Sequence, residues 1–89
     1  MISKTTQRFR ERLARLPKEV QQQAANSYRL FRENPDHPSL SFKKIPPHKA
    51  VYSVRINIKY RAVGVVDDDT IVWFWVGVHA EYEELLKHL

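Results

Sequence analysis

Residues 51–79 constrain this chain more than any other stretch. They read as three strands, 51–56, 60–66 and 70–78, broken at Asn57-Ile58-Lys59 and Asp67-Asp68-Asp69 and ending at His79. Strand side chains alternate faces with period two, so parity decides which residues are neighbours. A three-residue loop at 57–59 sets Ile56 opposite Tyr60 and Arg55 opposite Arg61. A three-residue loop at 67–69 sets Val66 opposite Thr70 and Arg61 beside Trp75, and His79 shares the parity of Trp75. One face is then expected to carry Arg55, Arg61, Trp75 and, at its rim, His79. The other would carry Tyr52, Val54, Ile56, Tyr60, Ala62, Gly64, Val66, Val72, Phe74, Val76 and Val78, an apolar surface that a helix layer must cover.

The Arg55–Arg61 pair makes a demand of its own. Like charges directly opposite each other on a sheet are destabilising. At about 5.5 Å and an effective dielectric near 20 the repulsion is roughly 3 kcal/mol, and several-fold less if both tips reach water. A chain that keeps such a pair offers it to an anion or splays the tips into solvent.

The helix layer lies N-terminal to the strands. Phe9, Leu13 and Leu16 recur at helical spacing over 5–16, with Thr5 or Thr6 available as N-cap. Pro17 breaks the run and suits the first turn of a second helix over 17–33, whose apolar stripe is Val20, Ala24, Tyr28 and Phe31. Asn34-Pro35 stops it. A short strand is expected over 40–45, ended by Pro46-Pro47, and a closing helix over 81–89. The first five residues could add a brief edge strand but are too short to assign. The expectation is a single α+β domain over 1–89: an N-terminal helical hairpin on one face of a twisted, antiparallel, three- to four-stranded sheet, with a short C-terminal helix.

Charge is informative by position. Residues 42–66 hold Lys43, Lys44, Lys49, Arg55, Lys59 and Arg61 without one acid, whereas residues 67–89 hold six acids against Lys87. A basic sheet of this kind is an electrostatic footprint for phosphate. The chain has no cysteine, so disulfides and thiolate chemistry are excluded. No apolar run approaches the ~20 residues of a membrane span, and a cytoplasmic protein without membrane association is expected. No Gly-rich loop is present to cradle a nucleotide, and the serines show no nucleophile-elbow context. Asp36, His37 and His48 are the best metal cluster, but as loop residues they lack ligand geometry, so no metal is expected.

His79 at a strand–helix junction has two readings: a helix N-cap or half-buried polar residue, or a proton-transfer group near neutral pH. Arg55 and Arg61 on its face, and Tyr82 three residues on, favour the second. Arginines that neutralise a phosphate, with a histidine and a phenol to move protons, are a workable set for cutting RNA. Trp73 and Trp75 could stack on bases or on an arginine, or be apolar residues beneath the C-terminal helix or at a partner interface.

The helix hairpin, Leu16-Pro17-Lys18-Glu19-Val20, Asn34-Pro35, and Tyr60-Arg61-Ala62-Val63 followed by an acidic turn and a hydrophobic strand together resemble the RelE/ParE superfamily of bacterial toxins. The resemblance runs along nearly the whole chain. It implies two N-terminal helices on a twisted antiparallel sheet, a C-terminal helix, and a place in a type II toxin–antitoxin system. RelE-like and YoeB-like members cleave mRNA on the ribosome without a metal or cofactor; ParE-like members poison DNA gyrase. Arg61 matches the arginine these nucleases place on the scissile phosphate, and Arg55 a second cationic position. His79 falls where YoeB-like members carry a histidine, and Lys43 and Lys44 lie near lysines used by RelE-like members. The pattern also departs from the family: no glutamate stands between Glu33 and Glu81, and Ala80 separates His79 from the nearest tyrosine, Tyr82.

The resulting expectation is a ribosome-dependent mRNA endoribonuclease of the RelE/YoeB-like branch, with Arg61, His79, Arg55 and Tyr82 as catalytic candidates. Lys43, Lys44, Lys49, Lys59 and Trp75 are the RNA-binding candidates. Expected partners are mRNA on the ribosome and a cognate antitoxin rich in acidic and aliphatic residues, with homodimerisation through Trp73 or the C-terminal helix left open. The alternative is a non-catalytic module of the same fold, a gyrase inhibitor or an RNA-binding domain.

Overall fold

The computed structural model describes residues 1–48 and 50–89. The chain runs β1 (Ile2–Thr5), α1 (Gln7–Ala14), α2 (Lys18–Glu33), a 3₁₀ turn (Pro38–Leu40), β2 (Lys43–Lys44), β3 (Val51–Arg55), β4 (Tyr60–Asp67), β5 (Thr70–Val78) and α3 (His79–Lys87). Local chemistry sets the helix bounds. The Thr6 hydroxyl caps α1 by accepting from the Phe9 amide at 3.0 Å. Pro17, which has no amide to leave unpaired, is the N-cap of α2. The Gln21 side chain donates to the Leu16 carbonyl at 2.8 Å and so closes the joint between the two helices.

The five strands form one sheet in the order β1-β5-β4-β3-β2. The α+β class and the helical hairpin are as the sequence implied, but the sheet is wider and mixed, because β1 pairs in parallel with β5. Nothing local marks residues 2–5 as a strand. Their partners are distant in sequence: the Ile2 amide donates to the Asp69 carbonyl (2.7 Å) and the Thr6 amide to the Trp73 carbonyl (3.0 Å). The Trp73 indole N–H donates to the Ser3 hydroxyl (3.0 Å) and the Tyr28 hydroxyl to the Ser3 carbonyl (3.2 Å).

Arg55 opposes Arg61, as the first hairpin demanded. The second hairpin differs. Asp67 pairs with Thr70, so its loop is Asp68-Asp69, with Asp68 in the left-handed region at φ 53°. A register shift then follows: Val63 pairs with Trp75 and Gly64 with Trp73, leaving Phe74 as an extra residue. The shorter loop and the bulge together displace the register by two, so Trp75 keeps the expected face but Arg61 lies opposite Gly77. Before the bulge the faces are reversed. Ile71 and Trp73 enter the helix-side core, whereas Phe74 packs on the other side. Val72, paired with the exposed Val65, leaves the helix side too.

The main core lies between the helices and the sheet and includes Phe9, Phe31, Val54, Ala62, Ile71, Trp73 and Val76. Each large side chain buried there contributes about 1.5–3 kcal/mol. Phe31 meets Trp73 edge-on at 5.3 Å. Gly64 lets that indole lie close, since a Cβ there would sit 2.9 Å from Trp73 Cε3. On the opposite face α3 lays Tyr82, Leu85 and Leu86 against Trp75, Val63 and Ile45. Among the described residues no helix is long and apolar enough to cross a membrane.

Candidate functional site

The candidate site lies at the end of the sheet where the β3–β4 loop meets the start of α3. Asn57 organises the loop. Its Oδ1 accepts from the amides of Lys59 (2.7 Å) and Tyr60 (3.0 Å), and its Nδ2 donates to Gln23 Oε1 on α2 at 2.6 Å. The loop is therefore fixed to the helix layer on one side. On the other, the His79 amide donates to the Lys59 carbonyl at 2.7 Å, which ties the first residue of α3 to the same loop.

Arg61 uses this frame. Its Nη1 donates to the carbonyls of Asn57 (2.6 Å) and Tyr60 (3.0 Å), drawing the guanidinium along its own strand toward the loop. Two carbonyls stabilise the charge without neutralising it. Among the described residues neither Arg55 nor Arg61 has a carboxylate within 4.0 Å. Two half-buried arginines thus stand opposite each other on adjacent strands, with no carboxylate paired to either among the described residues.

His79 is the first residue of α3, with Val78 as the N-cap. Its imidazole is about half exposed and Nε2 lies 3.1 Å from Glu83 Oε1 one turn along the helix. An Nε2–H donated to that carboxylate leaves Nδ1 of a neutral ring as a proton acceptor. The Tyr82 ring lies 5.6 Å from the His79 ring but is only 7% exposed, held beneath α3 against Trp75.

The other candidates are spread out. Lys43 pairs with Ser53 and shares the face of Arg55, whereas Lys44 pairs with Tyr52 and lies over that ring at 5.9 Å, on the helix side. Lys59 is exposed at the loop. Lys49 lies outside the described residues. Trp75 is 9% exposed beneath α3, so its indole forms part of a packed cluster. Trp73 lies on the opposite face, donating to Ser3. Among the described residues no three His, Asp or Glu side chains gather as a metal site. His37 instead turns Nδ1 to the hydroxyl of Ser39 at 2.8 Å.

Two residues that shape the site escaped the sequence reading. Asn57 was treated only as a loop residue, although an Asn opening a short turn is a known local signal. Arg12, a cation on a helix, carries no sequence signal that separates it from a solvated arginine. It stands three residues after Phe9, at the edge of the apolar stripe of α1, and its guanidinium lies over Trp75 at 5.1 Å.

Residues 18–84 match the model of a family described as the ParE-like toxin domain. No curated protein matches the chain. Among solved structures, a chain of the RelB–RelE antitoxin–toxin complex from Methanococcus jannaschii superposes with a TM-score of 0.75 at 18% identity, covering 92% of this chain and 96% of that one. YafQ from E. coli gives 0.72 at 10% identity, with 90% and 94% covered. The YoeB dimer from Staphylococcus aureus gives 0.68 at 19% identity, with 89% and 97% covered. At such identities the likeness is one of fold.

Proposed function

Because this chain belongs to the ParE-like toxin domain family, we propose that it is the toxin of a toxin–antitoxin pair and cleaves mRNA held on the ribosome. The observation that carries this reading is the uncompensated Arg55–Arg61 pair, at the end of the sheet where the His79 amide is bonded to the β3–β4 loop. A sheet that keeps two facing guanidiniums without a carboxylate is prepared for an external anion, and a phosphodiester bears one.

In this reading the 2′-hydroxyl of the RNA loses its proton to Nδ1 of His79 while Glu83 holds Nε2–H. The 2′-oxygen attacks the adjacent phosphorus, the P–O5′ bond breaks, and the 5′-oxygen leaves and takes a proton from solvent water. The products are a 2′,3′-cyclic phosphate and a 5′-hydroxyl end. Arg61 and Arg55 stabilise the charge that gathers on the non-bridging oxygens, an effect worth several kcal/mol. Lys43 and Lys59 guide the flanking backbone, and no cofactor enters the scheme. Tyr82, beneath α3, supports the histidine rather than touching RNA. An acidic, aliphatic antitoxin segment would cover the same basic face.

A second reading, a gyrase-directed toxin without nuclease activity, draws on the ParE-like description of the matched family. Expression in bacteria separates the two. The first expects growth arrest with new mRNA 5′ ends, both lost in Arg61→Ala and reduced in His79→Ala. Arrest with intact transcripts and an induced DNA-damage response, unchanged in both variants, would establish the second.

A further inference from the structure

Arg12 has no place in the scheme above, yet it reaches a strand, an aromatic ring and a second helix. It lies in the last turn of α1, where a cation is usually a solvated partner of the helix dipole. Here the side chain turns inward. Its Nε donates to the Val76 carbonyl at 2.8 Å, on the edge of β5 beyond the point where β1 stops pairing. The guanidinium stacks over the Trp75 ring at 5.1 Å, and Nη2 lies 3.7 Å from Glu81 Oε1 on α3. Gly77 keeps the space open, since a Cβ there would stand 3.0 Å from Arg12 Nη2.

We propose that Arg12 is the positioning residue that holds the start of α3, and with it His79, in register with the Arg55–Arg61 pair. This rests on the nuclease reading of that site. The N-terminal turn of α3 is held at two points: by the Lys59 carbonyl through the His79 amide, and by Arg12 through Glu81. The Glu81 pair is exposed and contributes little by itself. The bond to the Val76 carbonyl and the stacking on Trp75 fix the guanidinium; Glu81 then aligns to it. Only a planar fork can meet a carbonyl, an aromatic face and a carboxylate together, so lysine is a poor substitute.

The test compares the full chain with Arg12→Ala and Arg12→Lys, by single-turnover cleavage of mRNA on programmed ribosomes and by amide hydrogen exchange. Both variants are expected to lose about 10–100-fold in cleavage rate at saturation, the scale of a misplaced acid–base group, with half-saturation unchanged. Exchange is expected to quicken over 79–87 but not in α2 or β4. Methylguanidine should partly restore Arg12→Ala. Unchanged α3 exchange in both variants overturns the proposal, and so does faster exchange throughout the fold, which would make Arg12 merely structural. Should the parent chain leave mRNA intact, the nuclease reading falls, and the exchange pattern alone decides whether Arg12 holds α3.

Discussion

Replacing Gly77 with alanine should loosen α3 from the sheet while leaving the helix-side core alone. A Cβ at 77 would lie 2.8 Å from Trp75 Cζ2, 2.9 Å from Cη2 and 3.0 Å from Arg12 Nη2. Carbon atoms prefer separations of about 3.5–4.0 Å, so the indole must retreat by more than half an ångström. It has little room, being packed against Tyr82 and Val63. Overpacking of this kind costs about 1–3 kcal/mol. For a domain of this size the corresponding fall in Tm is about 4–8 °C per kcal/mol. Gly64→Ala is the matched control, because its Cβ meets Trp73 and Ile71 on the other face. Thermal melts should show a loss for both, but only Gly77→Ala should change the emission of Trp75 in a Trp73→Phe background. A Gly77→Ala melt within ~1 °C of the parent, where the steric estimate requires several degrees, would refute this account of how α3 is seated.

Two other outcomes follow from the same geometry. If the Arg55–Arg61 pair holds one phosphate and Lys43 and Lys59 one each, affinity for single-stranded RNA should fall with salt with a log–log slope of about −2, and Lys59→Ala should reduce the slope by about 0.7; filter-binding titrations from low to moderate salt check both, and a flat dependence would contradict the basic footprint. Removing residues 1–5 deletes the hydrogen bonds that join Ile2 and Ser3 to Asp69, Trp73 and Tyr28. At about 1 kcal/mol each these three bonds represent roughly 3 kcal/mol, a large share of such a domain's stability, and a urea midpoint close to that of the intact chain would show β1 to be dispensable.

Where the sequence was legible, it was so because one short-range signal sufficed. Alternation over 51–56 and 60–66 with a polar loop between them fixes Arg55 opposite Arg61, and the structure has that pairing. The helix bounds follow from Thr6, Pro17 and Asn34, each a local capping or breaking residue. Long-range events were not legible. β1 exists because Trp73 and Tyr28 supply partners for Ser3, and no property of residues 2–5 announces that. The bulge at Phe74 was hidden because all residues from Ile71 to Val76 are apolar, so alternation carries no parity signal there. Unbroken alternation puts Trp73 on the face of Trp75, whereas the bulge sends it into the helix-side core. The role of Arg12 depends on a β5 edge that β1 leaves open, a fact of topology rather than composition.

The central claim is that two facing arginines and the adjacent imidazole grip one phosphodiester. The most direct measurement is the single-turnover cleavage rate of a defined mRNA on programmed ribosomes, with the product ends identified. The account predicts fragments ending in a 2′,3′-cyclic phosphate and a 5′-hydroxyl, at a rate that falls about 10²–10³-fold in Arg61→Ala. Intact mRNA with the parent chain, or equal rates with and without the Arg61 guanidinium, would contradict it.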